Sequence, residues 1–347
     1  KYEAAYKLIQ ENSKNENDKI QFIKNLIRVK EFGIAQKMID DILNSSQDKI
    51  ILRKTILELA KIYENLFTTE IHSLPLTSSI IRNQFLDSQF IKINNDNNIF
   101  LTKAINIYDS LRINSRDSFS TFQLAEIKYR ILGDLDGATK LYNELIKKKD
   151  KKLYNNSLSR IIDIKISKGN LQKTLKFVNE KITSNKNDET QTMLKIKKIQ
   201  ILFYLNNKDE LKKLISDFLN NSEKNNLLYN DILKINSSLI LFDNREEEFA
   251  KYSLAMLKIY QNKRVESIEL LNSINEFDSE AYESIIYQSA YLNFLQNDFE
   301  EAISIANKID KESAYIESSL LLKAEIYDYI LNDKSKAVEI YLYLLET

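Results

Sequence analysis

Apolar residues along this chain recur at helical spacing over stretches of about fourteen residues, stop at a short polar turn, and then resume. In the C-terminal third the turns lie in YQNKRVES, LQNDFEEA and LNDKSKA, and each leads to a small residue early in the next helix: Ser267, Ala302 and Ala337, spaced 35 and 35. The equivalent positions upstream are Ala104, Ala138, Thr174 and Leu211, at steps of 34, 36 and 37, with Ala35 further towards the N-terminus. Such a pattern predicts αα-hairpins, in which one helix breaks at Gly, Asn or Asp and a second packs back on it. Gly133 and Gly169 stand five residues before the small residue, where a left-handed backbone is easiest for Gly, and Asn297 and Asn332 replace Gly at that place. Gly33 stands two residues before Ala35.

The period has an ungapped echo. Residues 125–146 read AEIKYRILGDLDGATKLYNELI and residues 324–345 read AEIYDYILNDKSKAVEIYLYLL, with nine of 22 positions identical, Glu126/Glu325 and Tyr142/Tyr341 among them. Self-similarity at a fixed spacing marks a stacked-repeat architecture. The expected fold is all-α, a right-handed α-solenoid of about eight helical hairpins stabilised by nearest-neighbour stacking.

Ala290, Asn297, Ala302 and Ala306, and again Ala255, Asn262, Ser267 and Leu271, match the spacing of the tetratricopeptide repeat (TPR) family. The chain resembles that family over most of its length, and a bacterial member is expected. Two departures stand out. The family's proline between repeats is missing, and the units at Ala125 and Ala324 carry one extra residue before the turn. The resemblance implies a non-enzymatic protein–protein interaction scaffold that binds a peptide or protein segment in a groove lined by the first helices. By the family's groove positions, Tyr252, Met256, Tyr287, Tyr291 and Tyr329 would face the ligand. Tyrosine suits such a role, giving large contact area and a polar tip at low entropy cost. If the rings serve binding alone, truncating Tyr287 or Tyr291 leaves stability nearly unchanged.

Two intervals break the period. Between Leu211 and Ser267 the step is 56, with room for an extra helix near residues 226–241. Between Ala35 and Ala104 it is 69, but one clear helix at 50–67 precedes an irregular stretch at 68–98 that holds the only Pro and the only His. The organisation read from this is 1–67 as N-terminal helical repeats, 68–98 as an irregular insertion, and 99–347 as repeats continuing the same solenoid. The insertion reads either as a degenerate repeat with a linker or as a binding loop. Loop length costs little, so much of it is expected to be removable. The final helix, 335–346, is apolar around nearly its whole circumference, which predicts that further chain or another subunit covers it.

Composition closes off most chemistry. With no Cys and a single His, the chain cannot build a disulfide framework, a zinc site of Cys and His, or a Cys–His nucleophile. Four scattered glycines cannot form a phosphate cradle. His72 lacks partners for a catalytic role, and Glu246–Glu248 read as a solvated helix face. No catalytic residue, cofactor or metal is assigned, and no stretch is apolar enough for a membrane span.

The net charge of zero hides an asymmetry: residues 245–347 hold 10 Lys/Arg against 20 Asp/Glu, and residues 146–213 hold 18 against 7. Such asymmetry bears on partner choice and association rate. It favours an acidic protein partner at 146–213, or self-association, over nucleic acid. Single-stranded RNA binding by a pentatricopeptide-like array is the rival reading, opposed by the acidic last third. A helical superstructure within a larger enzyme is a third.

Overall fold

The computed structural model describes residues 2–13, 15–67, 74–77, 85–91, 93, 98–148, 152–221, 228–277 and 280–346, and His72 lies outside them. Among the described residues the fold is all-α, with eighteen α-helices and no strand. The chain divides into two compact units, one of Lys1–Ile71 with Phe90–Ile161 and one of His72–Gln89 with Ile162–Thr347.

The first unit contains α1 (Tyr2–Asn12), α2 (Glu16–Arg28), α3 (Phe32–Ser45), α4 (Lys49–Phe67), α5 (Asn98–Ser115), α6 (Ser118–Arg130) and α7 (Leu135–Lys147). Its helices pair as α2 with α3, α4 with α5 and α6 with α7. Ile20, Ile23 and Leu26 of α2 meet Ala35, Met38 and Ile39 of α3 in a closed apolar cluster. Polar side chains set the helix starts by accepting from otherwise unpaired N–H groups. Asp117 accepts from the Ser120 N–H at 2.7 Å to begin α6, and Asp134 accepts from the Gly137 N–H at 2.8 Å to begin α7.

Helix α8 (Tyr154–Ser167) crosses the division in sequence, and the second unit continues with α9 (Leu171–Ser184), α10 (Asp188–Tyr204), α11 (Lys208–Asn221) and α12 (Tyr229–Leu241). There follow α13 (Glu246–Tyr260), α14 (Arg264–Asn272), α15 (Glu280–Leu295), α16 (Phe299–Ala306), α17 (Ile316–Glu325) and α18 (Lys334–Glu346). Helix α12 fills the interval predicted to hold an extra helix. On α18, Val338, Leu342, Tyr343 and Leu345 are exposed.

The hairpin register predicted from the sequence is the register observed. Ala35, Ala104, Ala138, Thr174, Leu211, Ser267, Ala302 and Ala337 are all buried, where a small side chain lets paired helices approach. Gly133 and Gly169 have φ of 65° and 77°, and Asn297 and Asn332 have φ of 66° and 55°, so each turn residue is left-handed. At the Asn297 turn the Asp298 N–H donates to Asn293 and the Asn297 N–H to Phe294, both at 3.0 Å, which closes the end of α15. The extra residue in the units at Ala125 and Ala324 is absorbed in one way in both. Where the Asp298 N–H reaches back five residues to Asn293, the Asp134 N–H reaches back six to Lys128 at 2.8 Å and the Asp333 N–H six to Tyr327 at 2.9 Å. The wider turn at the helix end takes up the additional residue.

Between α4 and α5, the described residues 74–77 and 85–86 are packed rather than loose. Leu74, Thr77, Phe85 and Leu86 are buried, and Leu74 belongs to the apolar cluster of α15, α16 and α17. Its loss is expected to open that cluster, so a deletion within 68–98 that includes Leu74 is expected to cost stability.

Candidate functional site

In the second unit, α10, α13, α15 and α17 are the first helices of their hairpins, and the residues predicted to contact a ligand lie on α13, on α15 and on the turn after α17. Tyr252 and Met256 of α13 and Tyr287 of α15 come together around a cavity of about 270 Å³. Phe242, Tyr315 and Lys234 complete much of its wall, and Ser284 and Gln288 add polar groups. Tyr252 is stacked on Phe242 at 5.1 Å between ring centroids and meets Phe203 edge-on at 6.3 Å. Tyr287 faces Tyr315 at 5.9 Å. Burial pushes the Tyr252 hydroxyl well above the ordinary phenol range, and burial likewise lowers the Lys234 ammonium, with nearby Asp231 opposing the fall. The wall is mixed, with the rings of Phe242, Tyr252, Tyr287 and Tyr315 set among polar groups that include Asp87, Lys234 and Gln288, and apolar surface with convergent polar groups is what a binding cavity needs.

Tyr291 and Tyr329 stand apart from this cavity. Tyr291 packs in the cluster that contains Leu74, with Phe294 at 5.8 Å between centroids. Tyr329 lies on the wide turn after α17, is half exposed, and has the Lys334 ammonium 5.8 Å from its ring centre. Tyr287 and Tyr291 are only 6% and 7% exposed. Truncating either is therefore expected to cost about 3–5 kcal/mol, as for any buried aromatic, and not to leave stability unchanged.

The sequence singled out none of the groups that hold the stretch after α4. Glu325, at the C-terminal end of α17 and 0% exposed, accepts from the Leu76 and Thr77 backbone N–H groups at 2.6 Å each. Gln200 of α10, also buried, donates its amide to the Phe85 carbonyl at 2.8 Å, and the Tyr204 hydroxyl donates to the Leu86 carbonyl at 3.4 Å. The Lys197 ammonium lies 5.6 Å from the Phe85 ring centre and pairs with buried Asp163 at 2.5 Å. Leu86 and Asp87 then line the cavity beside Tyr252 and Tyr287. A non-helical piece of the chain thus lies on the same helices whose residues line the cavity. The one signal available in the sequence was the identity of Glu325 with Glu126 in the internal repeat.

No family model matches this chain, and no curated protein does. Among solved structures, a Rap protein complexed with competence and sporulation factor is similar over 95% of this chain and 86% of its own length, at 10% identity and a TM-score of 0.36. The TPR domain of P58(IPK) is similar over 98% of this chain and 82% of that one, at 15% identity and a TM-score of 0.25. The hairpin register and turn geometry, rather than these likenesses, carry the description of the fold as TPR-like. Among the described residues no helix is long and apolar enough to cross a membrane.

Proposed function

We propose that this chain is a non-enzymatic scaffold that binds a peptide or protein segment against the first helices of its second unit. The observation that carries the reading is the cavity at Tyr252, Met256 and Tyr287, one wall of which is the chain's own Leu86 and Asp87. Tyr252, Met256 and Tyr287 would receive one apolar side chain of the partner. The basic stretch 146–213 would speed the approach of an acidic protein partner through long-range attraction.

The test is selection of linear peptides from a displayed random library on the full chain, followed by anisotropy titration on the native chain and on Gln288→Trp. Gln288 lines the cavity and is half buried, so the indole fills space without removing core. Selected peptides are expected to lose at least about tenfold in affinity, equivalent to about 1.4 kcal/mol. Equal binding to both proteins, or a library that yields no binder, overturns the reading.

A further inference from the structure

Glu126 and Glu325 occupy one place in the repeat and are satisfied differently. Glu126 accepts from the Arg160 guanidinium at 2.8 and 3.1 Å and from the Tyr142 hydroxyl, so a cation from the hairpin 34 residues on neutralises it. Asp163 is served likewise, by Lys197, again 34 residues on. Glu325 has no such neighbour: among the described residues no Lys or Arg pairs with it. Tyr341, the counterpart of Tyr142, turns to Asp328 instead. What the fully buried Glu325 carboxylate has is the two N–H groups of Leu76 and Thr77, at 2.6 Å each. A buried carboxylate that loses its donors costs several kcal/mol, so this position has to be occupied by something carrying N–H groups.

The occupant has a legible chemistry. Pro75 opens a turn at 75–76, and the two N–H groups that follow converge on one carboxylate. A turn that aims successive amides at a single anion is an established way to bind negative charge. Two residues ahead of Leu76, Leu74 enters the cluster of Tyr287, Ala290, Tyr291 and Phe294. The fit is imperfect. Thr77 Oγ1 is buried and finds no hydrogen-bond partner among the described residues, and Leu76 is about half exposed.

We propose that Glu325 and the Leu74 pocket form a peptide-binding site for a short turn-forming segment, a leucine-type residue and proline followed by two free backbone amides, and that Leu74–Thr77 is its internal occupant. The inference deepens the scaffold reading and rests on it. A partner carrying this pattern replaces the internal segment and keeps the carboxylate served. The internal segment lowers the apparent affinity for such a partner by the fraction of time the site is free.

The probe is a dye-labelled peptide with the sequence of residues 71–80, IHSLPLTSSI, titrated by anisotropy. The proteins are the full native chain and a full chain in which Leu74→Gly, Leu76→Gly and Thr77→Gly weaken the internal occupant. The weakened chain is expected to bind at least about tenfold more tightly than the native one. Adding Glu325→Gln, or using a peptide with Thr77→Pro, which has no N–H, is expected to remove that gain. Equal binding to native and weakened chains that both retain their helical circular dichroism overturns the proposal, as does indifference to Glu325→Gln.

Should the triple variant unfold, hydrogen exchange on the native chain decides. The Leu76 and Thr77 amides are expected to exchange far more slowly than in a free peptide, and to speed up when an excess of a library-selected peptide carrying the Leu-Pro pattern is added. Free-peptide rates in the native chain, or no change on addition, also overturn it. If selected peptides bind in a manner sensitive to Gln288→Trp while IHSLPLTSSI does not bind the weakened chain, the scaffold reading stands and this inference alone falls.

Discussion

A carboxylate shut off from water must find its donors inside the fold. At Glu126 they are a guanidinium and a phenol, and at Glu325 they are two backbone amides. Removing the acceptor altogether leaves both amides unsatisfied, so Glu325→Ala is expected to destabilise the chain by about 2–5 kcal/mol in urea titrations, with Glu325→Gln costing less. Asp117 permits a different test. Burial alone would raise its carboxyl, but hydrogen bonds from Ser120 and the neighbouring Arg53 outweigh burial and hold it below the usual range. The folded group thus binds its proton less tightly than the unfolded one. Its contribution is present above the unfolded value of about 3.9 and is lost as pH falls through the folded value. Asp117→Asn is therefore expected to flatten the loss of stability between about pH 5 and pH 2 while lowering stability at neutral pH. Urea midpoints across that range check it. The identity Glu126/Glu325 was plain in the sequence, but what each carboxylate meets was not, because one partner lies 34 residues away and the other 248 or 249.

At the level of the hairpin, sequence and structure agree most closely, because the deciding forces are local. A left-handed residue is needed to reverse the chain, and Gly or Asn supplies it at least cost. Asn297, at φ 66°, is the clearest test. Asn297→Gly is expected to hold or raise the stability, whereas Asn297→Val, forced into the same conformation, should lower it by about 1–2 kcal/mol in chemical denaturation. The extra residue in the units at Ala125 and Ala324 was also legible as a slip in spacing, although only the backbone shows that a turn closed by a six-residue hydrogen bond absorbs it. The groove tyrosines were less legible. Family register brings Tyr252, Met256 and Tyr287 to one cavity, yet periodicity cannot tell a ring that lines a cavity from one, such as Tyr291, packed against a segment from elsewhere in the chain.

At the scale of the molecule, the stretch between α4 and α5 departs from the local logic of a repeat protein. Its composition, polar and interrupted by Pro75, reads as a linker, whereas Leu74, Phe85 and Leu86 are packing contacts of the second unit. Leu74→Ala is expected to cost about 2–5 kcal/mol, and hydrogen exchange should show the loss of protection in α15 and α17 while α2 and α3 keep theirs. Equal loss in both units would show that they unfold as one, in place of the segmental behaviour expected of repeats.

The two amides held by Glu325 also bear on how the chain is made. Neighbouring hairpins need only a few dozen residues to find one another, and solenoids fold quickly for that reason. The Leu76–Glu325 contact closes a separation of 249 residues. On a ribosome adding roughly 5–20 residues each second, Leu74 emerges many seconds before α15 and α17 exist to receive it, and Phe85 and Leu86 emerge well before α10 does. Through that interval these apolar side chains lack their native partners, so the newborn chain is most exposed to aggregation, and most in need of a chaperone, after residues 74–86 are made and before α17 is.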